Sequence, residues 1–252
     1  MNILNRIQLK SIQAKIALWT GLCLFLAAAV IVGYAAVALR SAATTEAHDH
    51  VVAVAESQAS VVGAEIEVAL DAARTMAQAF AAVKSTEHPL ELTRDGANAI
   101  LIQVLKDNPD FLDTYVLWEP NAFDGEDAKY VNAPGCDQTG RFIPVWSRNE
   151  QGGFVVEATA GSETGDWYQL PRQNKKEYIF SLVYPIQGKD IVMASAIVPI
   201  VVDGQFYGIT GVDIPAEFLQ RLVDKVNIYD RTGQLAVIGN NGMLMAATGH
   251  PE

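Results

Sequence analysis

From Ile16 to Leu39 the chain carries no charged residue. A helix of that length, at about 1.5 Å per residue, crosses a hydrocarbon layer of about 30 Å. Arg6, Lys10 and Lys15 precede it, and a basic flank of this kind stays on the cytoplasmic side. A cleaved secretory signal is the alternative, but signal cores are shorter, at about 7–15 residues. Beyond the apolar run, Ser41 to Lys84 has no proline and one glycine. Val51, Val54, Val61, Val62, Ile66, Leu70, Ala73, Met76, Ala77 and Phe80 recur there at helical spacing. The pattern predicts one long stalk helix rising from the membrane segment, with an apolar stripe that must pack on the following domain, on a second copy, or on both.

The next segments alternate in period. Leu92 to Lys106 reads as a helix stopped by Asn108-Pro109. Leu112 to Trp118, Arg141 to Trp146 and Phe154 to Val156 read as strands, and Asn121 to Gly140 as a long irregular loop between the first two. After a turn or short helix at GDWYQLP come three β-branched runs, Tyr178 to Ile186, Ile191 to Ile200 and Gln205 to Ile214. Gln187-Gly188-Lys189-Asp190 and Asp203-Gly204 separate them, which predicts a three-stranded antiparallel meander. A helix follows from Pro215 to about Lys225. Asn227 to Asp230, Leu235 to Ile238 and Met243 to Ala246 then begin new strands, with turn signals at Arg231-Thr232-Gly233 and Asn240-Asn241-Gly242. The fold class is α+β, an antiparallel sheet with helices packed on one side. The expected divisions are 1–15 (cytoplasmic), 16–39 (transmembrane), 40–84 (stalk), 85–214 (a first sheet module) and 215–252 (a linking helix and the start of a second module, which the chain leaves incomplete).

Asp213 closes the last strand of the meander. Counting by twos, it shares a face with Gly211, Ile209 and Tyr207, while Phe206, Gly208, Thr210, Val212 and Ile214 take the other. A buried carboxylate needs a partner. The neighbouring sequence offers the rings of Trp167, Tyr168 and Tyr184 but no obvious base, so a cationic ligand would satisfy both the carboxylate and the rings. Tyr115, Trp118 and Trp146 are further candidates for the wall of such a site. Two plainer readings stay open: Asp213 as a cap of the helix at Pro215, and the aromatic pair as core.

Charge narrows the partners. The net charge is −11, and every acidic residue lies beyond Leu39. With no basic stripe to meet phosphates, nucleic acid is excluded as a partner. Cys23 falls in the membrane run and Cys136 in a loop, so they cannot pair within one chain, and no zinc spacing exists. His48 and His50 do not share a helix face. Asp124, Glu126 and Asp127 do not match a 12-residue calcium loop, so the loop is expected to be a solvated lid; no metal or cofactor is expected. There is no Gly-x-Ser-x-Gly or His-Glu-x-x-His, which argues against an exported hydrolase.

Ala122-Phe123-Asp124-Gly125, Gly140-Arg141-Phe142-Ile143-Pro144, Asp166-Trp167-Tyr168, Gly208-Ile209-Thr210-Gly211-Val212-Asp213-Ile214 and Val226-Asn227-Ile228-Tyr229-Asp230, in this order after a membrane helix, resemble a double Cache sensor domain. Such domains form the extracytoplasmic half of bacterial methyl-accepting chemotaxis proteins and of some sensor kinases and diguanylate cyclases. The resemblance covers roughly Ser41 to the end. It implies a PAS-like five-stranded module that binds ligand distal to the membrane, a location in the bacterial inner membrane, and a homodimer through the stalk. In the amino-acid-binding branch, an Arg two residues before a Trp-Tyr pair holds the ligand carboxylate, and an Asp ending the last strand holds its ammonium. Trp167, Tyr168, Tyr184 and Asp213 match; the Arg position is Gly165, and a Tyr expected near Ala160 is missing. The resemblance therefore implies a ligand with an amine and no carboxylate, such as a biogenic amine or polyamine. Arg141, Arg148 or Arg172 could substitute, which leaves amino acids open, and purine-type ligands are a further possibility. A stalk that binds no ligand is the structural alternative.

Overall fold

The structure, a computed structural model, describes residues 12–149, 151–159, 164–226, 233–239 and 241–249. It divides into two compact units at Glu56 and Ser57. The first is helical throughout its described residues: helix α1 (Ile12–Ala81) supplies it, and its N-terminal part is long and apolar enough to cross a membrane by length and composition. No proline interrupts the run, so nothing removes a backbone donor from the helical ladder.

The second unit begins with the remainder of α1. Ala69, Leu70, Ala73, Met76, Ala77 and Phe80 are buried along one stripe. Val61 is exposed and Val62 and Ile66 are half-buried, so the stripe is fully covered only in its later turns. A short turn of 3-10 helix, Ala82–Lys84, ends it. Helix α2 (Arg94–Asp107) starts two residues later than the pattern predicts because Thr93 caps it, its hydroxyl accepting from the Gly96 N–H at 3.1 Å.

A six-stranded antiparallel sheet is the centre of this unit. Its strands are β1 (Asp113–Trp118), β2 (Pro144–Arg148), β3 (Phe154–Ala158), β4 (Tyr178–Ile186), β5 (Lys189–Val202) and β6 (Gln205–Pro215), in spatial order β3-β2-β1-β6-β5-β4. The resemblance implied five strands; β3 is the sixth. The meander closes through Gln187-Gly188 and Asp203-Gly204, all four residues at positive φ. That is the backbone of two-residue turns whose twist matches the strands.

One face of the sheet packs on α1 and α2, around Val116, Trp118, Ala196, Ile200, Val212 and Phe80. The other holds a smaller core of Tyr115, Leu117, Ile143, Ile197, Ile209 and Tyr168, and helix α3 (Asp166–Asn174) contributes Tyr168 to it. The apolar periodicity does not reveal that α3 takes this second face. Strict alternation also fails at one point. The register between β5 and β6 shifts at Ile200/Val201, so Phe206 joins the smaller core while Tyr207 packs on the helical side. Both assignments reverse the count by twos, because a bulge inserts a residue into one strand.

Helix α4 (Ala216–Asp224) follows, and strands β7 (Ala236–Ile238) and β8 (Leu244–Ala247) pair as a hairpin. Gln220 of α4 bonds both the N–H and the C=O of Ala247. The strand expected at 227–230, the turn at 231–232, residue 240 and the basic residues Arg6 and Lys10 lie outside the described residues.

The loop from Asn121 to Gly140 departs from the expected solvated lid. Buried Arg94 grips Asp124 through both terminal oxygens at 2.8 Å, Asp127 at 2.7 Å and the Gly140 carbonyl at 2.8 Å. Its guanidinium lies 4.0 Å from the centre of the Tyr130 ring. Asp127 also accepts from the Asn121 N–H at 2.6 Å. The acids that suggest a cation site thus neutralise an arginine. Gly140 is required at the seam: its φ is +83°, and a Cβ would come within 1.8 Å of the Asp127 carbonyl oxygen.

Candidate functional site

The register of the sheet sets the site. Asp113 on β1 lies directly opposite Asp213 on β6, and Asp213 lies opposite Ser195 on β5. All three are buried, and all lie on the face away from α1 and α2, in one row across the sheet centre. Two residues along, Tyr115 faces Gly211. A Cβ on Gly211 would meet the Tyr115 hydroxyl at 2.2 Å, so the glycine makes room for that ring. The Tyr115 hydroxyl then reaches Ser195 Oγ at 2.8 Å.

These groups open into a cavity of about 320 Å³, its mouth included, lined by Asp113, Asp213, Tyr115, Ser195, Trp167 and Tyr184, with Val145, Thr159 and Leu182 completing the wall. Among these lining residues there is no lysine, arginine or histidine. The indole of Trp167 stands edge-on to the Tyr184 ring, centroids 6.4 Å apart, and to the Tyr168 ring at 6.1 Å.

The electrostatics follow from burial. Removal from water favours the neutral form of a carboxyl, and a second carboxyl opposite favours it further. Burial raises Asp213 to about 7, against a smaller opposing effect of hydrogen bonding from Ser195 and Asp113. Burial and then the charge of Asp213 push Asp113 well above the ordinary carboxylate range. The same two causes raise the Tyr115 phenol. The carboxyls are near enough for a proton on Asp113 to favour an ionised Asp213. Even so, both oxygens of Asp113 and Oδ1 of Asp213 have no well-formed hydrogen bond. Three buried acceptor atoms at one spot are costly unless something donates to them.

The sequence candidates divide into three groups. Asp213, Trp167, Tyr184 and Tyr115 line the cavity together. Tyr168 lies behind it: its hydroxyl donates to Glu119 and accepts from Arg141 Nη2 at 2.7 Å, while Arg172 reaches Glu119 at 3.2 Å. Trp118 and Trp146 do not line this cavity. They alternate onto the helical face, Trp118 within 5.0 Å of the Phe123 ring centre and Trp146 donating to Asn98 of α2 at 2.9 Å. The period-two rule separates Trp118 from Tyr115 on β1, and the pairing of Trp146 with Thr114 puts Trp146 on the same helical face. The cap reading of Asp213 also fails, because β6 runs to Pro215, which is the N-cap residue of α4.

Neither Arg141 nor Arg148 nor Arg172 takes the place of the missing arginine. Arg141 binds the Trp118 carbonyl as well as Tyr168, Arg148 binds the carbonyls of Leu105 and Asn108, and none of the three lines the cavity. At Gly165 itself, a Cβ would lie 2.2 Å from Trp167 Nε1. The indole folds over the glycine and occupies the space a longer side chain would enter. Residue 160, near which the resemblance implies an upstream Tyr, lies outside the described residues. Asp113 and Ser195 are the residues the sequence reading missed. Asp113 opens β1 and sits two places before Tyr115, a spacing that puts both on one strand face.

A six-stranded antiparallel sheet, helices on its outer face and an anionic, ring-walled cavity on the other define a sensor module of the PDC, or Cache, class. Residues 97–221, just under half of the chain, match the profile of the methyl-accepting chemotaxis protein-like first PDC sensor domain. It is 28% identical over 271 residues to the methyl-accepting chemotaxis protein TlpQ of Pseudomonas aeruginosa, covering 92% of this chain and 37% of that receptor. The chain therefore spans little more than a third of the curated relative it matches. The solved extracellular domain of mmHK1S-Z3, assigned to the histidine kinases, is 36% identical with a TM-score of 0.63, over 73% of this chain and 64% of that one. The ligand-binding domain of the Campylobacter jejuni chemoreceptor Tlp3, solved with L-valine, shares the fold at 16% identity and a TM-score of 0.54, over 78% of this chain and 68% of that one.

Proposed function

We propose that this chain is the membrane-anchored, extracytoplasmic sensing part of a chemoreceptor that binds a small ligand bearing a primary ammonium. The observation that carries the reading is the set of buried carboxyl oxygens without a well-formed hydrogen bond, Asp113 Oδ1 and Oδ2 and Asp213 Oδ1, facing a cavity whose described lining residues include no base. An ammonium group supplies three N–H donors and one positive charge. The rings of Trp167, Tyr184 and Tyr115 add a favourable field for the same cation.

An amino acid, the ligand class of the Tlp3 complex, brings a carboxylate as well. No described lining residue offers it a cation, and the indole of Trp167 lies over Gly165. Amines are therefore preferred over amino acids. Anchoring is supported by the apolar part of α1. The exposed Val61 and Val68 on α1 suit contact with a second copy, through which a ligand-induced shift would pass along the helix. Calorimetric titration of the whole chain in detergent against primary amines and amino acids tests the ligand class. Binding of amines, and its loss in Asp213→Ala with the fold retained, is the expected result. Tight amino-acid binding without amine binding would refute it.

A further inference from the structure

Nothing in the sequence singles out Asp113, yet it is the more deeply buried of the two carboxyls and lies directly across the strand from the other. Two carboxyls in such a place cannot both ionise without a cation between them. The groups that could relieve them are few. Among the described residues, Tyr115 from β1 and Tyr184 from β4 are the other titratable side chains lining the same cavity, Ser195 from β5 adds a hydroxyl, and α3 brings the indole of Trp167. None carries a positive charge. The charge on the pair is therefore set by protons when the cavity holds no ligand and by the ligand's cation when it does.

We propose that protons and an ammonium ligand compete for the Asp113–Asp213 pair, so that Asp113 is half of the binding site and acidification empties it. The inference rests on the amine reading above. With two protons the pair is neutral and offers an ammonium no charge. With one, held on Asp113, it carries the single negative charge that one ammonium matches. Binding from the neutral form must release one proton to solvent. The lower titration of the pair, near 7 at Asp213, sets where this occurs. Below it, affinity falls about tenfold per pH unit; above it, affinity is flat, because the competing proton has already left.

The test uses the whole chain in detergent and 2-phenylethylamine, whose ammonium stays charged across the range. Calorimetry from pH 5.5 to 8 in buffers of different ionisation enthalpy reads affinity and proton release together. The expected result is release approaching one proton per ligand at pH 6 and approaching none at pH 8. Ser195→Ala, which removes a donor to Asp213, should move the acid limb to higher pH; a merely structural effect would weaken binding equally at every pH. A parallel carbon-13 titration of the aspartate carboxyls in the ligand-free chain keeps the two readings apart. A carboxyl titrating near 7 that disappears in Asp213→Asn, with no amine bound at any pH, upholds the proton-holding pair and removes the amine reading. Affinity unchanged from pH 5.5 to 8, or both carboxyls titrating in the ordinary acid range, overturns the competition.

Discussion

Replacing Asp213 by Asn should make the protein more stable at neutral pH. In the unfolded chain the residue ionises near its ordinary value of 3.8; in the cavity it does so at about 7. A carboxyl held above its unfolded value binds its proton more tightly in the folded state, so it withdraws stability as pH rises from the lower value to the higher. Below about pH 4 both states are protonated and the cost vanishes. Above 7 both are ionised and the cost is complete, of order 4 kcal/mol at about 1.4 kcal/mol per pKa unit. The amide of Asn has nearly the same shape and no charge to desolvate. For a unit of this size that corresponds to a rise in melting temperature on the order of 10 °C. Denaturant unfolding of wild type and Asp213→Asn at pH 4 and pH 8 gives the comparison; titrating groups away from the cavity cancel between the two proteins, and the relief of Asp113 adds to the gain at pH 8. The expected gain is large at pH 8 and near zero at pH 4. A variant less stable than wild type at pH 8, or a gain of equal size at both pH values, would refute the reasoning. Sites that bind charge commonly cost stability in this way.

Three other outcomes follow from the same geometry. Arg94→Ala leaves Asp124 and Asp127 without their shared cation. It should cost about 3–5 kcal/mol and expose the 121–140 loop to proteolysis, measurable as nicking of the folded chain. Gly211→Ala should weaken amine binding roughly tenfold, since its Cβ collides with the Tyr115 hydroxyl and the loss of one well-placed group is worth about 1.4 kcal/mol; calorimetry reads the change. Trp167→Ala should lower affinity at least as much through loss of the ring over the cation, whereas Trp146→Phe, on the helical face beside Asn98, should leave affinity unchanged.

Much of the fold was legible because its signals are local. The turns at Gln187-Gly188 and Asp203-Gly204 and the β-branched runs between them locate the meander to within a few residues of the observed strands. The site was legible only in part. Asp213, Trp167, Tyr184 and Tyr115 do meet in one cavity, but Asp113 reaches Asp213 across a hundred residues of sequence, through the pairing of β1 with β6. No local pattern encodes that register. Tyr207 was assigned to the wrong face for a related reason: a bulge at Ile200/Val201 shifts the pairing, and alternation carries no mark of it. The acids of the 121–140 loop misled because their partner, Arg94, sits on a separate helix. Trp118 could have been set aside from the sequence, since Tyr115 and Trp118 differ by an odd number of positions along one strand; the face of Trp146 depends on the pairing of β2 with β1, which places it opposite Thr114.

A crystal structure of the chain grown with a primary amine is the most direct test. The amine nitrogen should lie within about 3 Å of carboxyl oxygens from both Asp113 and Asp213, with the rest of the ligand between Trp167 and Tyr184. A nitrogen in open solvent, or a ligand seated away from β1 and β6 while the two carboxyls remain as they are, would contradict the assignment of this cavity to a cation.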